Sequence, residues 1–228
     1  MKKLTNYFTR LEIILWTCSV VLIVTSFMIF DRESYHTLVA SLLGVTSLIF
    51  CAKGNPVGQA LMVAFSVLYG IISYSFAYYG EMITYLGMTL PMAILALVAW
   101  LKNPYNGNKA QVEIKSVGKK EQALMWSLAA AVTVAFYFIL KAFDTENLIP
   151  STLSVTTSFV AVFLTFLRSP YFALAYALND VVLIVLWVMA SCTDERYISV
   201  TVCFIVFLFH DVYSFYNWEK MKREQGAK

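Results

Sequence analysis

Eight long apolar stretches dominate this 228-residue sequence and exclude most other kinds of fold. Residues of the AVILMFWYC set make up 60% of the chain, which is more than one soluble core can bury. An α-helix needs about 20 residues to cross roughly 30 Å of hydrocarbon. We therefore predict an all-α, polytopic membrane protein with about eight transmembrane helices, at 12–30, 38–53, 57–79, 82–101, 123–143, 150–168, 170–191 and 197–217. A count of seven stays open if 38–53 is re-entrant or 12–30 is peripheral.

Lysine and arginine predict the orientation of these spans. With eight spans and an internal N-terminus, all but Arg32, Lys141 and Arg196 of the 17 basic residues fall on the cytoplasmic side. Cytoplasmic loops carry such an excess, so both termini are expected in the cytoplasm. The net charge of +3 indicates contact with anionic membrane lipids, with no basic patch typical of nucleic-acid binding.

The remaining composition excludes several classes of protein. No small-residue cleavage site precedes Asp31, so we expect 12–30 to be retained as a helix rather than removed as a signal peptide. The four cysteines show neither a disulfide framework nor metal-ligand spacing. Nucleotide-loop and common hydrolase motifs are absent from the sequence, which predicts no cofactor and no enzyme activity.

The chain is predicted to be a single membrane domain, 1–228, built from a duplicated unit. A polar linker at 102–122 divides it, and the repeats at 38–101 and 150–217 both end in tryptophan. Segment 12–30 precedes the first repeat, and 123–143 would link the two. Because each unit holds an even number of spans, the repeats run parallel, and small transporters of this kind bind substrate at the repeat interface near the bilayer midplane.

Asn179 and Asp180 are adjacent in the middle of the apolar segment 170–191, where an exposed Asp would cost about 3 kcal/mol. At 100° per residue they share one helix face with Tyr176, Leu183 and Trp187. This face of amide, acid and aromatic rings suits a flat, polar ligand, including a cation. The alternative is that Asn179 and Asp180 only form hydrogen bonds between helices.

Further polar residues recur at helical spacing in other spans. His210 and Asp211 share a face of the last span with Ser214 and Asn217. Contact with a ligand, contact between helices, a tuning role near the inner interface and, more remotely, catalysis are open for this face. In the first repeat the candidates are Gln59, Ser66, Tyr69, Ser73, Tyr85, Met88 and Thr89. For the small residues Ser41, Ser47, Ser154 and Ser158, close helix packing is an equally good explanation.

Tryptophan and proline mark the ends and the irregularities of the spans. Trp16, Trp100, Trp126 and Trp218 fall near predicted cytoplasmic ends, which predicts an interfacial aromatic belt. Pro91 lies in mid-span, where it removes a backbone hydrogen bond and favours a kinked or broken helix.

The stretches "NDVVLIVLW", "HDVYSFYNWEKMK" and "YYGEMITYLGMTLPMA", with "WLKNPYN" after the last, resemble the PnuC-type vitamin transporters from about Leu38 to Arg223. The resemblance implies a fold related to the SWEET sugar transporters, with two three-helix bundles, a linking helix at 123–143 and an additional N-terminal helix. It also implies a homotrimer in the bacterial inner membrane that takes up nicotinamide riboside by facilitated diffusion. Asn179, Asp180 and Trp187 would contact the vitamin, with Gln59, Ser66 and Thr89 as weaker candidates.

Two departures from the family pattern leave the choice of vitamin open. The family often has tryptophan where this chain has Asn55, and Asn-Asp where it has His210-Asp211. Thiamine and riboflavin are carried by related transporters and remain alternatives. A sensor or scaffold in which the polar pairs only hold helices together is the alternative from another class.

Overall fold

The computed structural model describes residues 7–75, 82–145 and 147–226, and its main elements are eight helices and one short hairpin. The first four helices are α1 (Arg10–Phe30), α2 (Tyr35–Ala52), α3 (Pro56–Ser75) and α4 (Leu90–Lys102), and a π-helical segment, Thr84–Thr89, leads into α4. The hairpin strands are β1 (Pro104–Tyr105) and β2 (Asn108–Val112). The last four helices are α5 (Lys119–Ala142), α6 (Leu148–Phe166), α7 (Tyr171–Ser191) and α8 (Ile198–Glu224), with a 3₁₀ turn, Glu195–Tyr197, before α8.

The predicted all-α membrane fold is confirmed. Seven of the helical segments in the described residues are long and apolar enough to cross a membrane, and α3 adds a shorter apolar helix over Pro56–Ile71. With the π-helical segment counted as part of the fourth span, the helix ends lie within about five residues of the predicted ones, except that α8 continues seven residues beyond 217. The division into repeats 38–101 and 150–217 with linking helix 123–143 stays a prediction, in which α2–α4 and α6–α8 would be the repeats.

Six helices close into a ring. Within each half, neighbouring helices in the sequence pack together, α2 on α3 and α3 on α4, then α6 on α7 and α7 on α8. The two halves join because α8 packs on α2 and α4 packs on α6. Helices α1 and α5 lie outside this ring, α1 against α2 and α8, and α5 against α6. Many of their apolar side chains are exposed, as a surface facing lipid requires.

The turns that follow α2 and α6 have the same backbone hydrogen bonds, 114 residues apart. In the first turn the amide of Gly54 donates to the Cys51 carbonyl, and in the second the amide of Arg168 donates to the Thr165 carbonyl. Gly54 and Arg168 both have positive φ, +65° and +60°. An arginine rarely adopts this left-handed conformation, and its presence at the equivalent position supports a true duplication of the unit.

Trp100 and Trp218 connect the two halves by hydrogen bonds at these turns. Trp100, at the end of α4, donates its indole N–H to the Thr165 carbonyl of the second half at 2.9 Å. Trp218, in α8, donates to the Cys51 carbonyl of the first half at 2.8 Å. The two rings lie 5.3 Å apart between centroids and are fully buried. The predicted interfacial belt is therefore wrong for these two residues, because backbone acceptors inside the protein satisfy their indole groups, whereas Trp16 and Trp126 are exposed.

The polar linker is an ordered part of the structure that bridges both turns. The amide of Val112 donates to the Gly54 carbonyl and the amide of Lys115 to the Arg168 carbonyl. Gln225, just after α8, accepts from the Ile114 amide and donates to the Val112 carbonyl. Residues 103–118 thus cover one end of the bundle, here called the linker end.

The indole hydrogen bond of Trp218 should contribute measurably to the stability of the helix ring. Trp218→Phe keeps an aromatic ring but removes the N–H donor and part of the packed volume. We expect a loss of about 1–3 kcal/mol in the free energy of unfolding, seen as a lower melting temperature in detergent. Reaction of the buried Cys51 and Cys203 with a fluorogenic thiol dye would report the unfolding.

The matched control is Trp126→Phe, since Trp126 is 60% exposed on α5. Its melting temperature should stay within a degree or two of the wild-type value. Equal melting temperatures for the two variants would contradict the role given to the Trp218 hydrogen bond.

Candidate functional site

A cavity of about 490 Å³ lies inside the helix ring, within the range of pockets that hold small molecules. It reaches from the middle of α7 to the end of the bundle opposite the linker, here called the open end, which carries residues 143–145 and 192–194. Its lining residues are Tyr69, Thr84, Tyr85, Thr89, Leu140, Phe143, Asp144, Thr145, Asn147, Ser151, Ser154, Val155, Ser158, Asn179, Leu183, Leu186, Trp187, Ala190, Thr193, Asp194, Tyr197 and Phe204.

Two pairs of aromatic side chains form part of the cavity wall. Tyr69 of α3 and Tyr85 of the π-helical segment lie 4.4 Å apart between ring centroids. Trp187 of α7 and Tyr197 lie 5.4 Å apart nearer the open end. Aromatic faces carry negative electrostatic potential and attract flat rings and cations. The cavity is thus suited to a planar ligand, with additional preference for one of positive charge.

The π-helical segment places the first half of the chain against the cavity. The amide of Leu90 donates to the Tyr85 carbonyl, five residues earlier, and Pro91 next to it has no amide hydrogen to donate. The predicted irregularity at Pro91 is therefore confirmed, as a widened turn rather than a break. Such π-helical turns are frequent at functional sites, and this one carries the lining residues Thr84, Tyr85 and Thr89.

Asn179 places a polar group deep in the cavity, near the middle of α7. It is 6% exposed, and its Oδ1 accepts a hydrogen bond of 2.8 Å from the Thr157 hydroxyl of α6. Because Oδ1 is engaged in this way, the amide N–H groups are the donors that Asn179 presents to a ligand. Leu183 and Trp187 follow at intervals of four residues along the same face, as the sequence predicts.

Two acidic residues at the open end are the charged side chains among the described residues of the cavity lining. Among the described lining residues there is no lysine, arginine or histidine, whereas Asp144 and Asp194 both contribute. Arg196 binds the Asp194 carboxylate at 2.7 Å and lowers the pKa of that group below its usual range. Asp194 therefore stays ionised at neutral pH as one half of an ion pair with Arg196, and Asp144 is the second acidic residue of the entrance.

Aromatic side chains close the path from the cavity to the linker end. Tyr176 lies one helical turn below Asn179, and Phe172 one turn further, with 6.2 Å between their ring centroids. Phe172 packs in turn against Trp218 at 4.8 Å and Trp100 at 6.5 Å. The structure is consequently open at one end and closed at the other.

Four of the ten predicted site residues line the cavity, namely Tyr69, Thr89, Asn179 and Trp187. Four others, namely Gln59, Tyr176, Asp180 and Asp211, gather in a buried cluster behind its wall. Of this cluster, the Gln59 amide donates to Cys51 Sγ at 3.2 Å, and both Cys51 and Tyr176 face Asp211.

The last two predicted site residues bond elsewhere. His210 Nε2 lies 2.9 Å from the Ser19 hydroxyl of α1, and Ser66 donates to the Met62 carbonyl of its own helix. Contact of any of these ten residues with a ligand stays a prediction. Ser73 has a side chain outside the described residues.

Several lining residues carried no sequence signal for a site. Tyr197, Asp144 and Asp194 lie in connecting turns, to which helical periodicity does not apply, and Thr157 positions Asn179 from a different helix. Ser154 and Ser158, for which packing explained the sequence equally well, line the cavity. Knowledge that α6 packs against α7 would have identified the residues of α6, and a single sequence does not provide it.

A ring of apolar helices around a solute-sized cavity that is open at one end and closed at the other is the architecture of a membrane transporter. A family model described as nicotinamide mononucleotide transporter matches residues 34–220, and the chain belongs to this family.

The comparisons with individual proteins agree with the family. The nicotinamide riboside transporter PnuC of Neisseria mucosa is 26% identical over 204 residues, which cover 87% of this chain and 77% of that protein. The crystal structure of the vitamin B3 transporter PnuC superimposes with a TM-score of 0.81 at 22% identity, over 96% of this chain and 94% of that one. The fold expected from the family resemblance is thereby confirmed.

Access to the cavity from water can be tested by thiol labelling. In a variant whose four native cysteines are replaced, Ser158→Cys on the cavity wall should react with a water-soluble methanethiosulfonate reagent. The control is Ser41→Cys, because Ser41 lies buried on α2, away from the cavity. Labelling of the Ser158→Cys variant no faster than that of the Ser41→Cys variant would contradict a water-filled cavity.

Proposed function

We propose that this protein takes up nicotinamide riboside across the bacterial cytoplasmic membrane. The observation that carries the proposal is the cavity with aromatic walls, an Asn179 amide in its depth and an acidic entrance. Nicotinamide riboside combines a flat pyridinium cation with an amide and a ribose. The name of the Neisseria mucosa relative supports the same substrate.

Each part of this substrate has a matching feature in the cavity. The cationic ring can stack on an aromatic wall formed by Tyr69 and Tyr85 or by Trp187 and Tyr197. The Asn179 amide can donate to the nicotinamide carbonyl or to a ribose oxygen, while Ser154 and Ser158 offer hydroxyl groups to the rest. Asp144 can attract the cation at the entrance, where Arg196 compensates the charge of Asp194.

The mononucleotide named in the family description fits this cavity less well. It differs from the riboside by a phosphate group, which proteins bind with arginine, lysine or a helix N-terminus. The described lining residues include no basic side chain, and two acidic ones stand at the entrance. A phosphate inside the cavity would find no basic counter-charge among the described lining residues, so we propose the riboside as the transported form.

Transport is proposed to occur by facilitated diffusion with alternating access. The riboside enters from the open end, and release follows when the aromatic residues at the linker end separate while the open end closes. The excess of lysine and arginine at the linker end supports a cytoplasmic position for that end and for both termini. In keeping with the family resemblance, we also propose a homotrimer, which light scattering of the detergent-solubilised protein would test.

Binding calorimetry on the purified protein tests the substrate directly. Nicotinamide riboside should bind, while nicotinamide mononucleotide, thiamine and riboflavin should bind at least tenfold more weakly. Preference for thiamine or riboflavin would correct the vitamin and retain the transporter. No binding of any of the four would favour a sensor or scaffold.

Asn179→Leu should weaken binding of nicotinamide riboside strongly without unfolding the protein. The substitution removes the amide donors, and loss of such a hydrogen bond in a buried site costs about 1–3 kcal/mol, or roughly 5- to 150-fold in affinity. After the substitution the Thr157 hydroxyl can donate its hydrogen to the Leu153 or the Ser154 carbonyl of its own helix, so the fold should tolerate the change. Leu178→Ala, adjacent in the chain on the exposed face of α7, is the control and should bind as wild type.

A further inference from the structure

One hydroxyl group sets the orientation of the amide in the depth of the cavity. Thr157 of α6 donates a hydrogen bond of 2.8 Å to Asn179 Oδ1 of α7. The two side chains are 8% and 6% exposed, so little water competes for this contact. The Nδ2 group of Asn179 has no acceptor among the described residues, which leaves both of its N–H bonds to the cavity that Asn179 lines.

The Thr157 hydroxyl has one hydrogen to donate and three acceptors within reach. Asn179 Oδ1 lies at 2.8 Å, and the carbonyl oxygens of Leu153 and Ser154 in the same helix lie at 3.0 and 3.1 Å. Those carbonyls also accept the backbone amides of the next helical turn, whereas Asn179 Oδ1 has no second donor among the described residues. The hydrogen therefore stabilises Asn179 most, and the threonine holds the amide with its oxygen turned away from the cavity.

The orientation of an amide decides which ligand group it can bind. With Nδ2 toward the cavity, Asn179 donates hydrogen bonds and requires an acceptor, whereas with Oδ1 toward the cavity it would require a donor. A ligand group of the wrong kind leaves a buried polar group unpaired, which costs more than the loss of an ordinary contact. Thr157 is not itself a lining residue, so it can act on selectivity without touching the ligand.

The serines of α6 suit a riboside that lies with its sugar nearer the open end than Asn179. Helix α6 runs from the open end toward the linker end, so Ser151 and Ser154 lie up to about 9 Å nearer the open end than Thr157, at 1.5 Å per residue. Both serines line the cavity, and their hydroxyl groups match those of a ribose. A riboside whose sugar lies along them brings the substituent of its ring to the depth of Asn179.

We propose that Thr157 is a positioning residue that makes the cavity select a pyridinium riboside by the carbonyl group on its ring. Its hydroxyl holds Asn179 with both N–H bonds toward the ligand, so the ring substituent has to accept a hydrogen bond there. A substituent that only donates meets those N–H bonds and leaves them unpaired. This inference rests on the proposed function, since nicotinamide riboside carries such a carbonyl.

Calorimetry of the purified full-length protein with two analogues of nicotinamide riboside tests the selection. Both are ribosides of a pyridinium cation. 3-Acetylpyridine riboside keeps the carbonyl and has no N–H on its substituent, whereas 3-aminopyridine riboside has N–H donors and no carbonyl. Wild-type protein should bind the acetyl compound within about threefold of nicotinamide riboside and the amino compound at least tenfold more weakly than the acetyl compound. Equal affinities, or the reverse order, would overturn the proposal.

Thr157→Val removes the hydroxyl and keeps the shape of the side chain. The Asn179 amide can then turn over and present either face, so the preference for the acetyl over the amino compound should shrink to less than about threefold. Thr157→Ser keeps the hydroxyl and should restore the wild-type preference. A purely structural role of Thr157 would weaken the binding of both compounds alike and leave their ratio unchanged, and that result would contradict the positioning role.

The matched control is Thr156→Val, one residue away on the same helix. The Thr156 hydroxyl lies 2.7 Å from the Thr133 hydroxyl of α5 and does not line the cavity. Its loss should leave the wild-type ratio of the two affinities intact, even where the melting temperature falls. If Thr157→Val does not fold, Thr157→Ala removes the same hydroxyl and takes its place in the comparison.

Failure of this inference and failure of the proposed function give different results. Tight binding of nicotinamide riboside with no discrimination between the two analogues would reject the role of Thr157 and leave the proposed function intact. Absence of binding of all three ribosides would reject the proposed function, and the selection by Thr157 with it.

Discussion

The helix ring depends on a reciprocal pair of hydrogen bonds that cross between its halves. Trp100 of one half binds the Thr165 carbonyl of the other, and Trp218 binds the Cys51 carbonyl in return. Each carbonyl already closes the turn after its helix through Gly54 or Arg168. The indole groups therefore use the second lone pair of acceptors that are fixed in position, which holds two apolar bundles in register where apolar packing alone would let them slide.

The interior of the ring divides its polar groups into two sets. One set, with Asn179 as its deepest member, faces a cavity that water can enter, so its donors remain available for exchange with a solute. The other, centred on Asp180 and Asp211, lies behind the wall with several oxygens unpaired. Unpaired polar atoms destabilise a bundle surrounded by hydrocarbon.

The sequence predicted the helical membrane fold well and the site only in part. Hydropathy located the helices because each must cover the same thickness of hydrocarbon. Asn179 was a candidate because a polar amide in the middle of an apolar span is costly unless it has a partner or a function. Composition rules assigned Trp100 and Trp218 to the membrane interface, since only the packed structure reveals the carbonyls they bind. Tyr197 and Asp194 were not predicted as site residues, because they lie in connecting turns, to which helical periodicity does not apply. Asn179 and Asp180 are adjacent in the chain but face different neighbours. This difference could not be predicted without knowing how α7 packs against α8.

The linker makes the predicted pair of repeats asymmetric at one end only. The amides of Val112 and Lys115 bind the carbonyls of both equivalent turns, at Gly54 and Arg168, whereas no backbone hydrogen bond joins the described open-end turns 143–145 and 192–197. In the predicted parallel arrangement, exchanging the two repeats would not convert one end of the molecule into the other. Opening at the two ends is therefore limited by unrelated interactions, and evolution can adjust the rate of substrate capture and the rate of release independently of each other.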